Sequence, residues 1–293
     1  MAVKTGLVGA GRRAEVHASA LAASPDLEFV GVWTRRPLAA EELTKRFGGS
    51  VFAAFEDLLD ACEAVCFAVP PAVQGELAGI AARAGKSVLL EVPIAWDLAD
   101  AEQLTETVVA AGVVSQVAFT WRYTAEVQRF LQAHGSDDRR PRGGGGRVVK
   151  VQRDQPAQAN RWRNERGLLF DVGPHVADLL DAAIGTVVDV DAEDDENAWV
   201  TLKLEHHLVG PSESTLGSSS TIDHDEAVFE FVGADGKTSL DCSDAERRAD
   251  YATMFAEFAN AARTGEAHAL DVNHGLHIQR IIEAADTRLR MGR

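Results

Sequence analysis

Val3-Lys4-Thr5-Gly6-Leu7-Val8-Gly9-Ala10-Gly11-Arg12-Arg13-Ala14 is the stretch whose reading decides the fold of this chain. An apolar, strand-like run leads into small residues at Gly9, Gly11 and Ala14, the G-x-G-x-x-G/A spacing, and Ala14, Ala18 and Leu21 then mark one face of a helix. Gly9 suits the tight turn, Gly11 a close approach of backbone to a pyrophosphate, and Ala14 the packing of helix on strand. The helix N-terminus adds unpaired N–H groups and the positive end of a dipole. Strand, turn and helix in this order point to a dinucleotide site, with Arg12 and Arg13 at its rim.

Composition frames that reading. With 293 residues, 46% apolar and 25% charged, the chain has the make-up of a globular protein with two domains. No signal or transit peptide is read before Val3 and no apolar run is long enough to span a bilayer, so a cytoplasmic protein away from the membrane is expected. The net charge of -16 speaks against a nucleic-acid partner, which needs a basic face. Cys62, Cys66 and Cys242 form no disulfide framework, and Cys66, inside the apolar run 64–69, reads as a buried small hydrophobe.

Strand and helix patterns alternate up to residue 119. Strands are expected at 27–34, 50–53, 64–69, 87–90 and 113–119. Helices are expected at 39–47, 55–61, 72–84 and 98–111. Such alternation gives a parallel sheet wrapped on both faces. The composition shifts after a helix at 124–133. Gly135 to Arg147 contains four consecutive glycines, Gly143 to Gly146, and reads as a surface loop because no helix follows them. Strands are then expected at 147–154, 187–192, 198–204, 214–222, 227–232 and 238–242, with helices at 174–184, 251–264 and 275–290. The fold class is α/β: an N-terminal Rossmann doubly wound parallel sheet (residues 1–120), then an α+β domain with a large open, mostly antiparallel sheet (121–293).

Three segments could carry chemistry. In NAD sites the second strand ends in an acid for the ribose. Here it ends Val32-Trp33-Thr34-Arg35-Arg36, with no acid between Glu28 and Glu41. Thr34, Arg35 and Arg36 suit a 2′-phosphate, because guanidinium grips phosphate bidentately. NADP(H) is therefore the expected cofactor, with NAD(H) the alternative and solvated loop charges the bland reading. Glu91, in Leu89-Leu90-Glu91-Val92-Pro93, is an acid at the carboxyl end of a buried strand, where ligands bind in open α/β sheets. In Asp171-Val172-Gly173-Pro174-His175-Val176-Ala177-Asp178, Asp171 and His175 lie four apart at an expected helix start, with Pro174 in the first turn. They read equally as a carboxylate–imidazole acid/base pair or as a helix cap beside a core histidine. His206-His207, His224 and His274-x-x-His277 form no complete ligand set, and no metal is assigned.

Together these motifs resemble the glucose–fructose oxidoreductase/inositol dehydrogenase (Gfo/Idh/MocA) family over nearly the whole chain. The family's opening turn and following histidine are matched by Gly9, Gly11, Ala14 and His17, and its proline strand end by Val69-Pro70-Pro71. Its A-G-K-x-V-x-x-E-K-P is matched from Ala84 to Pro93 except at one position, and its D-x-G-x-H-x-x-D by Asp171, Gly173, His175 and Asp178. The resemblance implies an oxidoreductase moving hydride between NAD(P) and a carbinol or ketone of a sugar or cyclitol. It also implies a homo-oligomer, dimer or tetramer, formed through the C-terminal sheet. His175 would move the hydroxyl proton and Asp171 would line the substrate site. Pro70, Gln74 and Glu91 would lie along the cofactor. Arg122, Trp162 and Arg163, in aromatic–arginine segments like the family's, would face substrate.

One departure bears on the chemistry. The family's E-K-P lysine, which shares in acid/base work, is Val92 here, and Gln74 stands where members often carry histidine. Arg163 or Lys150 is the nearest replacement the sequence offers. The alternatives are a reductase of a non-sugar acceptor and a non-catalytic NAD(P)-binding or sensing protein.

Overall fold

The computed structural model describes residues 1–136, 138–151, 161–195 and 199–292. They fall into two compact units, one of residues 1–118 and 251–277, the other of 119–250 and 278–293. In the first, the chain runs β1 (Val3–Val8), α1 (Arg12–Ala23), β2 (Leu27–Trp33), α2 (Pro37–Phe47), β3 (Ser50–Val51), α3 (Phe55–Ala61), β4 (Ala64–Phe67) and α4 (Pro71–Arg83). It continues with β5 (Ser87–Leu90), α5 (Leu98–Ala111) and β6 (Ser115–Val117). All the strand pairs are parallel, in the order β3-β2-β1-β4-β5-β6, which is the dinucleotide-fold order of two halves meeting at β1 and β4. Leu7, Val8, Val65, Phe67, Leu89 and Leu90 are fully buried, as strands covered on both faces require. Helix α1 buries Ala14, His17, Ala18 and Leu21, the face that the sequence pattern marks.

The second unit begins with a 3-10 turn (Thr120–Tyr123), α6 (Ala125–His134), β7 (Gly143–Val151) and α7 (Arg161–Ile184). Then follow β8 (Val187–Asp194), β9 (Val200–His206), β10 (Ser212–Ser219), β11 (Glu226–Gly233), β12 (Gly236–Asp241) and α8 (Ala245–Arg248). Helices α9 (Tyr251–Thr264) and α10 (Val272–Met291) end the chain. The strands form a second six-stranded sheet, β12-β11-β7-β10-β9-β8, antiparallel except for the β7–β10 pair. Its apolar positions alternate: Leu202, Leu204, Leu216, Phe229 and Phe231 point into the core.

Several expectations are corrected. Gly143–Gly146 are not a loop; they are the first half of β7, Gly143 paired with β11 and Gly144–Gly146 paired on both sides. Aromatic bulk on the neighbouring strand explains it. A Cβ at Gly144 would strike the Glu230 carbonyl at 2.5 Å and meet the Phe231 ring at 3.0 Å, and one at Gly146 would strike the Phe229 ring and the Val228 carbonyl. Phenylalanine fills what glycine leaves empty, so the strand keeps its packing. Helix α7 starts at Arg161 rather than 174, breaks at Gly167 (φ 74°) and carries Pro174 in its interior instead of its first turn. Gly173 lets α10 come close, since a Cβ there would meet Ile282 at 3.0 Å. Helix α9 belongs to the first compact unit, where Phe255 stands edge-on against His17. The expected strand residues 152–154 and 198 lie outside the described residues.

His206 shows how the second sheet handles a buried polar group. Its Nδ1 donates to the Gly185 carbonyl at 2.6 Å, which leaves Nε2 to accept the Ser212 hydroxyl at 2.7 Å. Burial pushes its pKa below the ordinary value, against weaker opposing effects of the Gly185 carbonyl and Asp181. The folded state thus favours the neutral ring. The stabilisation is present above the unfolded pKa of about 6.5 and is lost as pH falls through the lower folded value. Thermal melts of wild type and His206→Gln at pH 7.5 and 5 should show a smaller acid-induced drop in the variant. An unchanged drop would remove His206 from the acid response.

Candidate active site

The turn after β1 meets the geometric demands of the glycine motif at different positions for different reasons. Gly9 has φ 119°, and a Cβ there would run into the Ala68 carbonyl, so β1 and β4 approach closely only with glycine. Gly11 caps α1 with no side-chain hydrogen bond, and a Cβ on it would meet nothing within 4 Å. Space lies in front of Gly11 at a helix N-terminus whose N–H groups no side chain caps, which fits a pyrophosphate. Arg12 is exposed on the first turn of α1. At the end of β2, Thr34 is half-buried and Arg35 and Arg36 are exposed. The Arg36 guanidinium donates to the Ala10 carbonyl at 3.2 Å, bringing it to the glycine turn. Pro70, exposed, caps α4 after the carboxyl end of β4.

Arg13 and Gln74, read as nucleotide contacts, are engaged by the protein itself. Gln74 is fully buried. Its Nε2 donates to the carbonyls of Glu91 (2.8 Å), Pro93 (3.3 Å) and Ile94 (3.0 Å), and its Oε1 accepts the Glu91 N–H at 2.9 Å. The amide is a clamp on the turn after β5, which includes the cis Val92–Pro93 bond. Arg13 Nε stands 3.4 Å from Glu91 Oε2, and its Nη1 donates to the Tyr251 hydroxyl at 2.7 Å.

Glu91 is thereby the hub of a cluster that sequence spacing did not foresee. His17, fully buried in α1, places Nε2 at 2.8 Å from Glu91 Oε1 and Nδ1 at 3.0 Å from Cys66 Sγ. Burial, and then the charge of Glu91, push the Cys66 thiol well above its ordinary pKa, so it stays protonated. The two ring nitrogens of His17 thus stand between the thiol and the carboxylate. Cys66 is a buried small side chain, as expected, with a polar partner that was not.

In the second unit the D-x-G-x-H-x-x-D helix presents its polar residues to different partners. Asp171 is half-buried, and its Oδ1 accepts from Arg163 Nε at 2.5 Å. Arg163 also stacks over Trp162, with Cζ 4.4 Å from the ring centroid. Asp178 is fully buried and pairs with Arg122 at 3.0 Å. His175 is 3% exposed and lies flat against Trp121, the planes 10° apart and the centroids 5.4 Å apart. Lys150 binds Asp225 at 2.5 Å. Glu246, Asp225 and Asp171 together outweigh its burial and raise its pKa. Arg122 and Arg163, expected to face substrate, are thus tied to the motif's own carboxylates. The signals missed were long-range ones: nothing local in the sequence links Tyr251 to Arg13 or Trp121 to His175.

Comparison with known proteins agrees with this geometry. Residues 3–119 match the model of GFO_IDH_MocA, an oxidoreductase family with an NAD-binding Rossmann fold. Glucose-6-phosphate 3-dehydrogenase of Bacillus subtilis is 30% identical over 60% of this chain and 52% of its own length. Inositol 2-dehydrogenase of Rhizobium meliloti is 37% identical over 33% of this chain and 30% of its own. The chain therefore spans about half, or less, of the curated relatives it matches. A crystal structure of a Bordetella pertussis dehydrogenase in complex with NADH and UDP-GlcNAcA superposes with a TM-score of 0.89. That match covers 100% of this chain and 98% of the other at 21% identity, so it speaks to the fold. Among the described residues no helix is long and apolar enough to cross a membrane. Residues 3–119 thus match the model of an oxidoreductase family with an NAD-binding Rossmann fold, and the chain as a whole shares the fold of the solved structure.

Proposed function

We propose that the chain is an NADP(H)-dependent oxidoreductase that moves hydride to or from a hydroxyl or carbonyl carbon of a sugar or cyclitol derivative. The observation that carries this reading is the joining, in one chain, of the NAD-binding Rossmann domain to the α7 helix bearing Asp171 and His175. The dehydrogenases named above, acting on glucose 6-phosphate and inositol, support the substrate class. Residues 1–120 would bind nucleotide and 121–293 substrate. The protein would be a cytoplasmic homo-oligomer, dimer or tetramer, through the outer face of the second sheet.

On this reading Gly9, Gly11 and the start of α1 hold the pyrophosphate, with Arg12 and Pro70 beside it. Thr34, Arg35 and Arg36 hold the 2′-phosphate, and Glu91 sits by the nicotinamide ribose. The nucleotide supplies or accepts the hydride. Arg13, His17 and Gln74 then act indirectly, by fixing the Glu91 carboxylate and its turn. His175 takes or returns the hydroxyl proton, and Asp171, held by Arg163, binds a substrate hydroxyl. Trp162 packs against substrate, and Arg122 steadies Asp178.

The half-buried Val92 favours a second reading. If it stands where the family has lysine, no ammonium is available there, and an acceptor that needs less help at oxygen, such as a conjugated or imine-like system, becomes the better substrate. A non-catalytic nucleotide-binding or sensing role follows if no acceptor is reduced.

Calorimetry with NADPH and NADH tests the nucleotide. A charge-assisted hydrogen bond contributes about 1.5–3 kcal/mol, so Arg35→Ala/Arg36→Ala should weaken NADPH roughly 10- to 100-fold. NADH affinity should change little. Equal affinities of wild type for the two nucleotides would end the NADP(H) assignment. On a panel of keto-sugars, cyclitols and aromatic carbonyls, His175→Ala should lower kcat by ~10²–10⁴. Unchanged turnover in that variant would remove His175 from the chemistry. Val92→Lys should gain sugar activity if the pocket is shaped for sugars; a variant active only on non-sugar acceptors would support the second reading.

A further inference from the structure

His175 and Trp121 are buried together, being 3% and 4% exposed. The indole lies parallel to the imidazole at 5.4 Å, and Phe119 meets the same imidazole edge-on, at 90° and 6.4 Å. Behind the indole stands a file of rings. Phe229 packs on Trp121 at 6.2 Å, Phe231 on Phe229 at 6.4 Å, and Phe130 on Phe231 at 4.6 Å. The file can exist only because Phe229 and Phe231 stand opposite Gly146 and Gly144 in the β7–β11 register. Any Cβ at those two positions would press on the rings. The residue after Trp121 is tied down too, since Arg122 pairs with the buried Asp178, one helical turn beyond His175.

From this geometry we infer that Trp121 is a positioning residue for His175, seated by the Phe229–Phe231 file that the Gly143–Gly146 run accommodates. The indole lies along one face of the imidazole and is itself backed by packed rings, so the imidazole leaves its place only when that stack gives way. The consequence for turnover rests on the proposed role of His175; the positioning itself does not.

The test is a proton–carbon NMR spectrum of the full chain with ring-labelled histidine, the His175 signal being assigned from His175→Gln. A ring stacked on the imidazole displaces its Cε1–H signal upfield. Wild type and Trp121→Phe should each give one sharp, upfield signal. Trp121→Leu should move it toward the ordinary position and broaden or split it. Gly146→Ala, whose Cβ would meet the Phe229 ring first and the Val228 carbonyl next, should disturb it in the same direction. Cooperative thermal melts identify the variants that fold, and the glycine variant serves if Trp121→Leu does not. A signal unchanged in the folded variants overturns the inference. On an accepted substrate, Trp121→Leu should lower kcat about 10- to 100-fold, with KM within about threefold, because misplacing a catalytic group costs rate more than binding. A displaced signal with wild-type kcat would leave the positioning intact and overturn the proton-carrying role of His175 instead.

Discussion

The close approach of Gly9 to the Ala68 carbonyl is the contact on which the first unit depends. Only a residue without Cβ, at φ 119°, lets β1 turn into α1 beside the end of β4. From that turn the rest follows. Helix α1 is delivered across the sheet with Ala14 and Ala18 buried against it, and its N-terminus opens in front of Gly11. The same helix carries Arg13 and His17 to the carboxylate of Glu91 at the end of β5. One backbone constraint therefore sets both the open N-terminus of α1 and the side chains around Glu91.

Glycine has a different office in the second unit. In β7 it is lateral room that matters. Glycine in a strand costs roughly 0.5–1 kcal/mol relative to alanine, whereas truncating a buried phenylalanine to alanine costs about 3–5. A strand that gives up side chains at Gly144 and Gly146 to seat Phe229 and Phe231 is therefore favourable on balance. This is also why the sequence misleads here. A run of glycines carries every local mark of a loop, and the aromatic residues that make it a strand lie some eighty positions later, at Phe229 and Phe231.

That contrast measures what could be read in advance. Alternating strands and helices, the fit of Ala14, Ala18 and Leu21 to one face, and the antiparallel runs of the second sheet all rest on short periodicities, which sequence displays directly. The start of α7 escaped because Pro174 is a strong local signal for a first turn, yet tertiary packing around Gly173 and the break at Gly167 outweigh it. Within the candidate sites, residue types at motif positions were legible. Their partners were not: Tyr251, Trp121 and Gln74 meet their targets through the fold, at separations that no local pattern encodes.

Charge then sorts the arginines. In a chain of net charge -16, an arginine near a motif has acids competing for it. Arg13 goes to Glu91, Arg122 to Asp178 and Arg163 to Asp171. These pairs are partly buried, so removing one member leaves the other charge poorly compensated, at a cost that solvent screening keeps below the roughly 3–5 kcal/mol of a fully buried pair. A ligand would have to offset that cost to recruit such an arginine. Arg12, Arg35 and Arg36, in contrast, are exposed around the glycine turn, and the contact of Arg36 to the Ala10 carbonyl is a neutral one. Exchanging a carbonyl for a phosphate strengthens that bond rather than breaking an ion pair. The guanidinium groups that an incoming anion can recruit are therefore the exposed ones, and the half-buried ones hold the acids in place.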